Sequence, residues 1–483
     1  MFMFLRFLVA LTLLILTANA LQPGIRLPLI RVPGSIPRLG RLGRLGQAVS
    51  NDIPLSNIQQ YTYVVQAVIG KQAFDFICDT GSSDLWVVSN ACEEQDCKAV
   101  PQYSPDLSTT LRRTGSPFVL DYLTGSVKGE IVYDSVTFGN LYQVNSQVLA
   151  TVFETADLGL ASTATSGILG LCFPATAAIS ATKGPTLLQN LMSVFSPSQH
   201  FFALHLARDS GTADPTASFT FGTLDPALAP DPTLINNSPV LRSGMEYDYW
   251  KLPILRLTVD GQPFTISESR IPGADTPICV IDSGTTLLLG PTADVDAFYS
   301  LLGSAARKDP INGYQIRCTR AVILGLVLGN PAREYVLHPA DVAWSEGAQD
   351  GWCTGGLQAN DNVNAGDWLA GDVFLRNVYA VHNYSQPQPS IGLLSMTNIA
   401  TAMEEFRADR GQDTSNDEGN EDADVVPIVT DGRDGWDALT GFVKRWEQHP
   451  SETATKVFGA FAGGVGFVVG GVGAASWRFW RGI

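Results

Sequence analysis

Two short segments of the chain place an aspartate in the same setting, a turn of small hydroxyl residues and glycine that follows an apolar run. The first is Phe76–Trp86, which reads Phe-Ile-Cys-Asp-Thr-Gly-Ser-Ser-Asp-Leu-Trp. The second is Cys279–Leu289, which reads Cys-Val-Ile-Asp-Ser-Gly-Thr-Thr-Leu-Leu-Leu. Each apolar run predicts a strand that delivers one carboxyl group into the turn, Asp79 in the first copy and Asp282 in the second.

Two carboxyl groups that face each other can act on a peptide bond. They cannot both ionise at low cost, so they share one proton. One carboxylate then serves as general base on a bound water, while its protonated partner polarises a carbonyl group. Six neighbours in the turns are expected to support the pair as backbone donors, as links between the turns, or as donors to the outer carboxylate oxygens: Gly81 and Gly284, Thr80 and Ser283, and Ser82 and Thr285.

The segments that must position the pair recur at matched distances. Ile168-Leu169-Gly170 ends 91 residues after Asp79, and Leu369-Ala370-Gly371 ends 89 residues after Asp282. This repeat predicts two related lobes packed around a pseudo-twofold axis, on which the two aspartates would face each other. A third Asp-Ser-Gly triplet, at 209–211, follows no apolar run and has no such partner, so we interpret it as an ordinary turn.

The chain around these motifs is long and acidic. Its 483 residues exceed one compact core, and residues 51–400 consist of β-branched and aromatic runs broken by turn residues, which predicts an all-β body. The net charge is −16, with 31 basic and 47 acidic residues, which excludes binding to nucleic acid phosphates. The sequence has no zinc-type cysteine pair, no nucleotide-binding glycine loop and no metalloprotease motif, so neither a metal nor a cofactor is expected.

Over residues 51–400, these features resemble a pepsin-like aspartic endopeptidase of the A1 type. The resemblance implies two pseudo-twofold-related β lobes, residues 51–225 and 226–400, with the active-site cleft between them. It also implies that Asp79 and Asp282 are the catalytic pair. The expected substrates are polypeptides, cut between hydrophobic residues at acidic pH by a monomeric catalytic body.

The resemblance extends to a β-hairpin flap that closes over bound peptide, here Asp121–Ser126. Tyr122 falls on the flap tyrosine of the family, and Trp86 on the tryptophan that hydrogen-bonds to it. Leu123 stands where the family usually has glycine, which predicts a stiffer flap tip and a narrower pocket. The segment 159–166 lacks the aromatic residues that often line the neighbouring subsites. The flap and cleft residues expected on this basis are Tyr122, Thr124, Gly125, Trp86, Ile77 and Ile168.

The seven cysteines are also interpreted through the resemblance, which implies the disulfides Cys92–Cys97 and Cys318–Cys353. Cys78, Cys172 and Cys279 are then left over. Two interpretations stay open for the first two: they are buried thiols, or they form a bridge between neighbouring strands.

The amino-terminal 50 residues have two predicted parts. Residues 1–20 begin with a basic region, continue with a short apolar run and end in small residues, which predicts a cleaved signal peptide and entry into the secretory pathway. Residues 21–50 hold five arginines and no acidic residue. This basic segment is either a disordered arm or an inhibitory propeptide whose arginines pair with acidic groups of the body. Its frequent glycines and prolines argue against a core element.

The carboxy-terminal region has two further predicted parts. Residues 401–456 are interpreted as an acidic disordered linker that ends in a short amphipathic segment. Residues 457–477 are an apolar stretch long enough to cross a bilayer. Three interpretations stay open: a membrane-spanning anchor, a removed GPI-type signal, or a tail that packs on a surface. A membrane-anchored protein at the cell surface or outside the cell is expected, with an acidic vacuole-like compartment as the alternative.

Two Asn-X-Ser sequons, at Asn236 and Asn383, are candidate glycosylation sites. Two functions besides proteolysis stay open: a pepsin-like peptide-binding module that has lost catalysis, and a structural β protein in which the aspartate turns are coincidental. The presence of both turns together with Tyr122 and Trp86 favours the enzyme.

Overall fold

The computed structural model describes residues 24–27, 29–33, 61–123, 125–139, 142–208, 217–310, 312–363 and 365–411. All of them belong to one compact unit. Within these residues strands dominate and most helices are single turns, so the all-β prediction is confirmed.

The strands of the first half are β1 Ile25–Leu27, β2 Ile30–Pro33, β3 Tyr61–Ile69, β4 Gln72–Asp79, β5 Leu85–Val88, β6 Arg112–Asp121, β7 Ser126–Phe138, β8 Tyr142–Ala156, β9 Gly167–Gly170, β10 Phe201–His205 and β11 Ser218–Phe221. Those of the second half are β12 Asn236–Pro239, β13 Lys251–Val259, β14 Gln262–Phe264, β15 Ile278–Ile281, β16 Leu288–Gly290, β17 Ala306–Asp309, β18 Gly313–Arg317, β19 Leu324–Leu328, β20 Arg333–Val336, β21 Ala343–Gln349, β22 Trp352–Gly355, β23 Leu357–Ala359, β24 Trp368–Ala370, β25 Val378–Asn383 and β26 Ser390–Ser395. The α-helices are α1 Gln95–Lys98, α2 Leu160–Thr163, α3 Leu187–Val194, α4 Thr292–Leu301, α5 Pro339–Val342, α6 Asp372–Leu375 and α7 Ile399–Arg410. Single 3₁₀ turns occur at Pro105–Leu107, Pro174–Thr176, Pro197–Gln199, Pro232–Leu234 and Gly303–Ala305.

One large sheet forms in each half of the body. The first has the strand order β2-β3-β4-β9-β5-β8-β7-β6, and the second β20-β19-β13-β15-β24-β16-β23 with β14 paired to β13. The register of the first sheet starts at the turn between β3 and β4. Gly70 and Lys71 both have positive φ there (54° and 71°), as a two-residue type I′ hairpin loop requires. A separate four-stranded sheet has the order β17-β18-β22-β21.

The strands that carry the aspartates are arranged alike in the two halves. β4 runs parallel to β9 with Asp79 opposite Gly170, and β15 runs parallel to β24. In each half the next strand, β5 or β16, then pairs antiparallel with the same partner. Gly170 donates its N–H to the carbonyl of Asp84 at 3.0 Å, and Gly371 donates to that of Leu287 at 3.2 Å. The internal repeat is therefore present in the hydrogen-bonded backbone as well as in the sequence.

A six-stranded sheet, β1-β11-β10-β25-β26-β12, joins the two predicted lobes. β10 comes from the segment predicted as the first lobe and β25 from the second, and they pair antiparallel with Phe201 opposite Asn383. The halves are thus linked by main-chain hydrogen bonds of one sheet.

The basic segment 21–50 contributes core residues, contrary to the expectation from its glycines and prolines. β1 pairs with β11 and β2 pairs with β3, so this short segment extends two different sheets. Ile25, Leu27 and Leu29 are almost completely buried. Ile25 and Leu27 flank the exposed Arg26 with the alternation of a strand, a pattern that the composition obscured. Between them, Arg26 forms an ion pair with Asp225 at 2.9 Å.

The body also extends further toward the carboxy terminus than predicted. Residues 399–410 form helix α7, so the boundary of the acidic linker at residue 401 is wrong. Asn398 caps the helix by accepting a hydrogen bond from the Thr401 N–H, and Ala402 and Phe406, four residues apart, are buried on one face. This face packs the helix against the body.

Both predicted disulfides are present, Cys92–Cys97 and Cys318–Cys353. Cys78, Cys172 and Cys279 are free and buried. Cys78 lies opposite Leu169 in the β4–β9 pair, and the Cys172 thiol donates to the carbonyl of Asp248 at 3.0 Å. The structure therefore agrees with the first interpretation, in which Cys78 and Cys172 are buried thiols.

Several sequence predictions fall outside the described residues. They are the signal peptide 1–20, the remainder of the basic segment from residue 34, the turn at 209–211, the amphipathic segment and the apolar segment 457–477. Among the residues that the structure does describe, no helix combines the length and apolar character needed to cross a bilayer.

Candidate active site

Asp79 and Asp282 lie at the ends of equivalent strands and are held by hydrogen bonds that cross between the two turns. Thr80 donates its N–H to Ser283 Oγ at 3.2 Å, and Ser283 donates its N–H to Thr80 Oγ1 at 2.9 Å. Each hydroxyl also donates into the opposite strand, Thr80 Oγ1 to the Ile281 carbonyl (3.0 Å) and Ser283 Oγ to a carbonyl of β4 (2.7 Å). This symmetrical set of bonds fixes the two carboxyl groups relative to each other.

A glycine in each turn contacts both carboxyl groups. Gly81 donates its N–H to Asp79 Oδ1 at 2.8 Å, and Gly284 donates its N–H to Asp282 Oδ1 at 2.9 Å. A Cβ atom added to Gly81 would overlap the carboxylate of Asp282, and one added to Gly284 would overlap that of Asp79. The two turns therefore approach so closely that only glycine fits at either position.

The second oxygen of each carboxyl group is bound by the hydroxyl three residues later. Ser82 Oγ donates to Asp79 Oδ2, and Thr285 Oγ1 donates to Asp282 Oδ2 at 2.7 Å. All six residues expected to support the pair thus surround it.

Burial is the main electrostatic influence on this pair. Asp79 is 5% exposed and Asp282 is 7% exposed. Desolvation raises the pKa of Asp79 well above its usual range, and the negative charge of Asp282 raises it further. The pair therefore retains one proton at a pH where isolated aspartates are ionised.

The predicted flap is the tip of the β6–β7 hairpin, which closes with Asp121 opposite Ser126. Tyr122 donates its N–H to the carbonyl of Gly125 at 2.9 Å, and Gly125 has a φ of 85°. The indole N–H of Trp86 donates to the Tyr122 hydroxyl at 2.6 Å. Burial raises the pKa of Tyr122 well above its usual value, so the hydroxyl stays protonated. Thr124 lies outside the described residues.

A cleft of about 400 Å³ runs between the aspartate turns and the flap. Ile77 and Ile168 line it, as expected, together with Tyr122 and both catalytic candidates. Trp86 is fully buried behind the flap and does not line the cleft.

The comparisons with known proteins agree with this geometry. The family model for eukaryotic aspartyl proteases matches residues 60–394, a stretch that contains both aspartate turns and the flap. The chain belongs to the eukaryotic aspartyl protease family.

Relatives of this aspartyl protease include proteins of mammals and of a fungus. Pepsin A of Sus scrofa is 30% identical over 351 residues, which are 72% of this chain and 84% of that protein. Chymosin of Camelus dromedarius is 28% identical over 331 residues, covering 68% of this chain and 80% of the chymosin. Major aspartyl peptidase 1 of Cryptococcus neoformans is 29% identical over 341 residues, 67% of each chain. The aspartyl protease is accordingly an aspartic-type endopeptidase.

Sequence analysis of this aspartyl protease predicted apolar residues of the cleft wall from the first repeat only. Val280 and Leu369 also line the cleft, and they stand in the second repeat where Ile77 and Ile168 stand in the first. Both strand pairs have the same register, Ile77 opposite Ile168 and Val280 opposite Leu369. The offset between the repeats was the signal that would have found them.

Other lining residues of the aspartyl protease carry no motif. They come from loops, from helix α2 and from the flap strand, and include Leu120, Leu158, Leu160, Tyr249 and Val363. Among the described lining residues none is basic.

The two sequons of the aspartyl protease differ in their side-chain contacts. Asn236 Nδ2 donates to the Pro331 carbonyl at 3.0 Å and to the Tyr335 hydroxyl at 3.3 Å, so its amide is engaged by the body. Asn383 accepts a hydrogen bond from the Ser385 N–H at 2.9 Å through its side-chain oxygen. That contact involves the oxygen and not the amide nitrogen to which a glycan would be attached, so we keep Asn383 as the stronger candidate.

Proposed function

We propose that this protein hydrolyses peptide bonds between hydrophobic residues at acidic pH, with a water molecule activated between Asp79 and Asp282. The observation that carries the proposal is the pair itself, two buried carboxyl groups joined through reciprocal hydrogen bonds between Thr80 and Ser283. No other pair of carboxyl groups among the described residues is placed in this way at the floor of the cleft.

The reaction follows from one proton shared by two carboxyl groups. The ionised carboxylate accepts a proton from the water, whose oxygen attacks the peptide carbonyl carbon, while the protonated carboxyl donates to the carbonyl oxygen. The resulting tetrahedral species breaks its C–N bond as a proton reaches the leaving nitrogen, and the pair returns to its starting state. Gly81 and Gly284 donate to one oxygen of each carboxyl group throughout, which keeps both groups oriented.

The cleft supports a preference for apolar substrate side chains. Aliphatic residues from both repeats border the carboxyl pair, among them Ile77, Ile168, Val280 and Leu369. Apolar side chains of the substrate gain free energy when they leave water for such a surface. A low pH also keeps one proton on the pair.

Cleavage of a denatured protein substrate between pH 3 and pH 7 tests this function, with wild type compared with Asp79→Asn. We expect an acidic optimum, and about a 10²- to 10⁴-fold loss of kcat in the variant because the amide cannot take the acid–base role. Asp275→Asn, which alters an exposed aspartate, serves as the matched control and should keep full activity. Equal activity of Asp79→Asn and wild type would contradict the proposal.

The second candidate is a peptide-binding module without catalysis. It is favoured if the processed wild type binds a peptide with a non-hydrolysable bond but cleaves nothing across the pH range. The complete set of donors around both aspartates supports the enzyme instead.

We further propose that residues 21–50 are an inhibitory propeptide, released at low pH after a cut between Gly46 and Leu55. The burial of Ile25 and Leu27 and the Arg26–Asp225 ion pair support a segment that docks on the body. Protonation of the acidic partners would weaken such docking. The full-length proform should lose mass within an hour at about pH 3.5, whereas the Asp79→Asn proform should not. A wild-type proform that keeps its mass contradicts self-activation.

The proposed location is the secretory pathway, with the body tethered to a membrane by residues 457–477. The support is the amino-terminal signal pattern and the length of the apolar segment. In expressing cells, protease activity should sediment with membranes and be lost from them when the chain ends at residue 456. Release by a GPI-specific phospholipase would identify a lipid anchor, and a soluble full-length protein would contradict tethering.

A further inference from the structure

Leu123 occupies the tip of the flap hairpin and lines the cleft, yet 51% of its surface is exposed. Large apolar side chains exposed to this extent are uncommon among the lining residues of the first half. Ile168 is 7% exposed, Leu158 is 9% exposed and Leu160 is 1% exposed. Leu123 therefore presents apolar surface to the space where a substrate would lie.

Tyr122 also lines the cleft, but its side chain is held by the body. The Tyr122 hydroxyl accepts the indole N–H of Trp86, and the Tyr122 ring packs against the cluster behind the flap. Gly125 has no side chain, and a Cβ atom there would overlap the carbonyl oxygen of Ala156.

An aliphatic wall from the first half lines the same cleft as Leu123. Leu158, Leu160 and Ile168 belong to one buried cluster, and Ile77 and Leu120 pack against its edge. Every one of these residues also lines the cleft. A substrate side chain placed between this wall and Leu123 would contact branched aliphatic groups on both sides.

We infer that Leu123 is a specificity-determining residue, which restricts the adjoining pocket to aliphatic substrate side chains of leucine size and disfavours aromatic ones. This inference rests on the proposed peptide cleft. The restriction is steric: the leucine side chain fills space at the tip that a ring would need, and the wall beneath it is packed into the core. Differences of one methylene in an apolar pocket change kcat/KM by about 10- to 200-fold, so an effect of this size is measurable.

The test uses peptides that differ only in leucine or phenylalanine at the two positions flanking the cleaved bond. For wild type we expect kcat/KM to favour leucine at one of the positions by about tenfold. Leu123→Ala should bring the two peptides to near parity at that position, and Leu123→Phe should strengthen the preference. Leu301→Ala removes a leucine that is 63% exposed outside the cleft, and it should leave the ratio unchanged.

A binding measurement separates failure of this inference from failure of the proposed function. The same peptides are prepared with a reduced, non-hydrolysable bond, and their Kd values are compared for wild type and Leu123→Ala. A leucine preference in Kd that Leu123→Ala abolishes supports the inference even if nothing is cleaved. An unchanged leucine-to-phenylalanine ratio of kcat/KM in an active Leu123→Ala enzyme overturns the inference alone. A wild type that neither cleaves nor binds the peptides overturns both the inference and the proposed function.

Discussion

His382 is a buried imidazole in the sheet that joins the two halves of the body. Its ring stacks on Phe202 with centroids 4.6 Å apart, and it meets the edge of Trp250 at 4.9 Å. Burial in this aromatic setting lowers the pKa of His382 to about 3. The imidazole therefore stays neutral through most of the acidic range in which the protein is proposed to act.

This residue makes the folded state less stable in acid. Because its folded-state pKa lies below the unfolded value of about 6.5, the unfolded chain takes up a proton that the folded chain does not. The stabilisation that neutral His382 gives to the folded state is fully present above pH 6.5. It declines as the pH falls toward 3, by about 1.4 kcal/mol of unfolding free energy per pH unit. In His382→Leu, the loss of unfolding free energy between pH 7 and pH 4 should be smaller than in wild type by about 3 kcal/mol.

Urea unfolding at both pH values measures this difference, in an Asp79→Asn background that prevents self-digestion. Any packing cost of the substitution affects both pH values equally and cancels. If the unfolding free energy depends on pH in the same way in wild type and in His382→Leu, the lowered pKa of His382 is contradicted.

Local sequence was sufficient for the residues of the aspartate pair. An apolar strand followed by a tight hydroxyl-and-glycine turn contains within a few residues both the carboxyl group and its donors, so Asp79, Gly81 and Ser82 could be placed before any tertiary contact was known. Tyr249 and Val363 could not be placed in this way. They reach the cleft through loops whose path depends on the packing of distant strands.

At the scale of elements, the flap is a hairpin whose tip is connected to the body by a side-chain hydrogen bond from the indole of Trp86 to the Tyr122 hydroxyl. Its strand β6 is at the edge of the first sheet, paired only with β7. Because the bond is between groups shielded from water, its loss leaves the indole N–H without its partner.

Tyr122→Phe removes that bond without altering the ring. We expect kcat/KM to fall about tenfold, as the flap loses its fixed position over the substrate, with about a 1 kcal/mol change in unfolding free energy. Tyr133→Phe is a matched control in the same hairpin, since its hydroxyl donates to the Lys183 carbonyl at 2.6 Å. If both variants lose activity equally, the flap bond has no special role.

Helix α7 docks on the body through a buried aromatic side chain and polar contacts, among them a hydrogen bond from Arg410 to the Ala343 carbonyl. Phe406 is 1% exposed, the Arg410 guanidinium lies over its ring, and Glu405 is 3.2 Å from His338. Phe406→Ala should release the helix at a cost of about 3 kcal/mol and make residues 399–410 susceptible to proteases. Limited proteolysis measures this change, with Glu404→Ala as a surface control. Equal cleavage rates in the two variants would show that α7 is docked by other contacts.

Element boundaries were the weakest part of the sequence analysis. The acidic composition of the segment after residue 400 concealed Ala402 and Phe406, which are the only buried residues of α7. The glycines and prolines of the basic segment likewise concealed the buried Ile25, Leu27 and Leu29. In both places a few apolar residues at the right spacing decided the structure, against the average composition of the segment.

At the scale of the whole molecule, the internal repeat predicted two related halves, but it could not predict how they join. Phe201 and Asn383 pair across 182 residues of sequence, and nothing local to either strand identifies its partner. The cysteines are distributed over the same architecture: four form the two disulfides, and the other three lie in the cores of the halves.

This distribution gives a measurable thiol count. In the folded protein no cysteine should react with a maleimide within minutes, because all three free thiols are buried and burial raises the pKa of each. After denaturation without reductant, three thiols should react per chain. A count of one would indicate a bridge between Cys78 and Cys172, and mass mapping of non-reduced peptides would locate it.

The overlap that a Cβ atom would create at Gly81 or Gly284 has a consequence for how the two repeats can change. The space for each glycine is limited by a carboxylate of the opposite repeat, so a substitution in one copy damages the reactive group contributed by the other. The copies are free to diverge almost everywhere else, as their low mutual identity demonstrates, but at this point neither can vary alone. In a library of all single substitutions, these two positions should therefore be as intolerant as the aspartates themselves, although glycine takes no chemical part in the reaction.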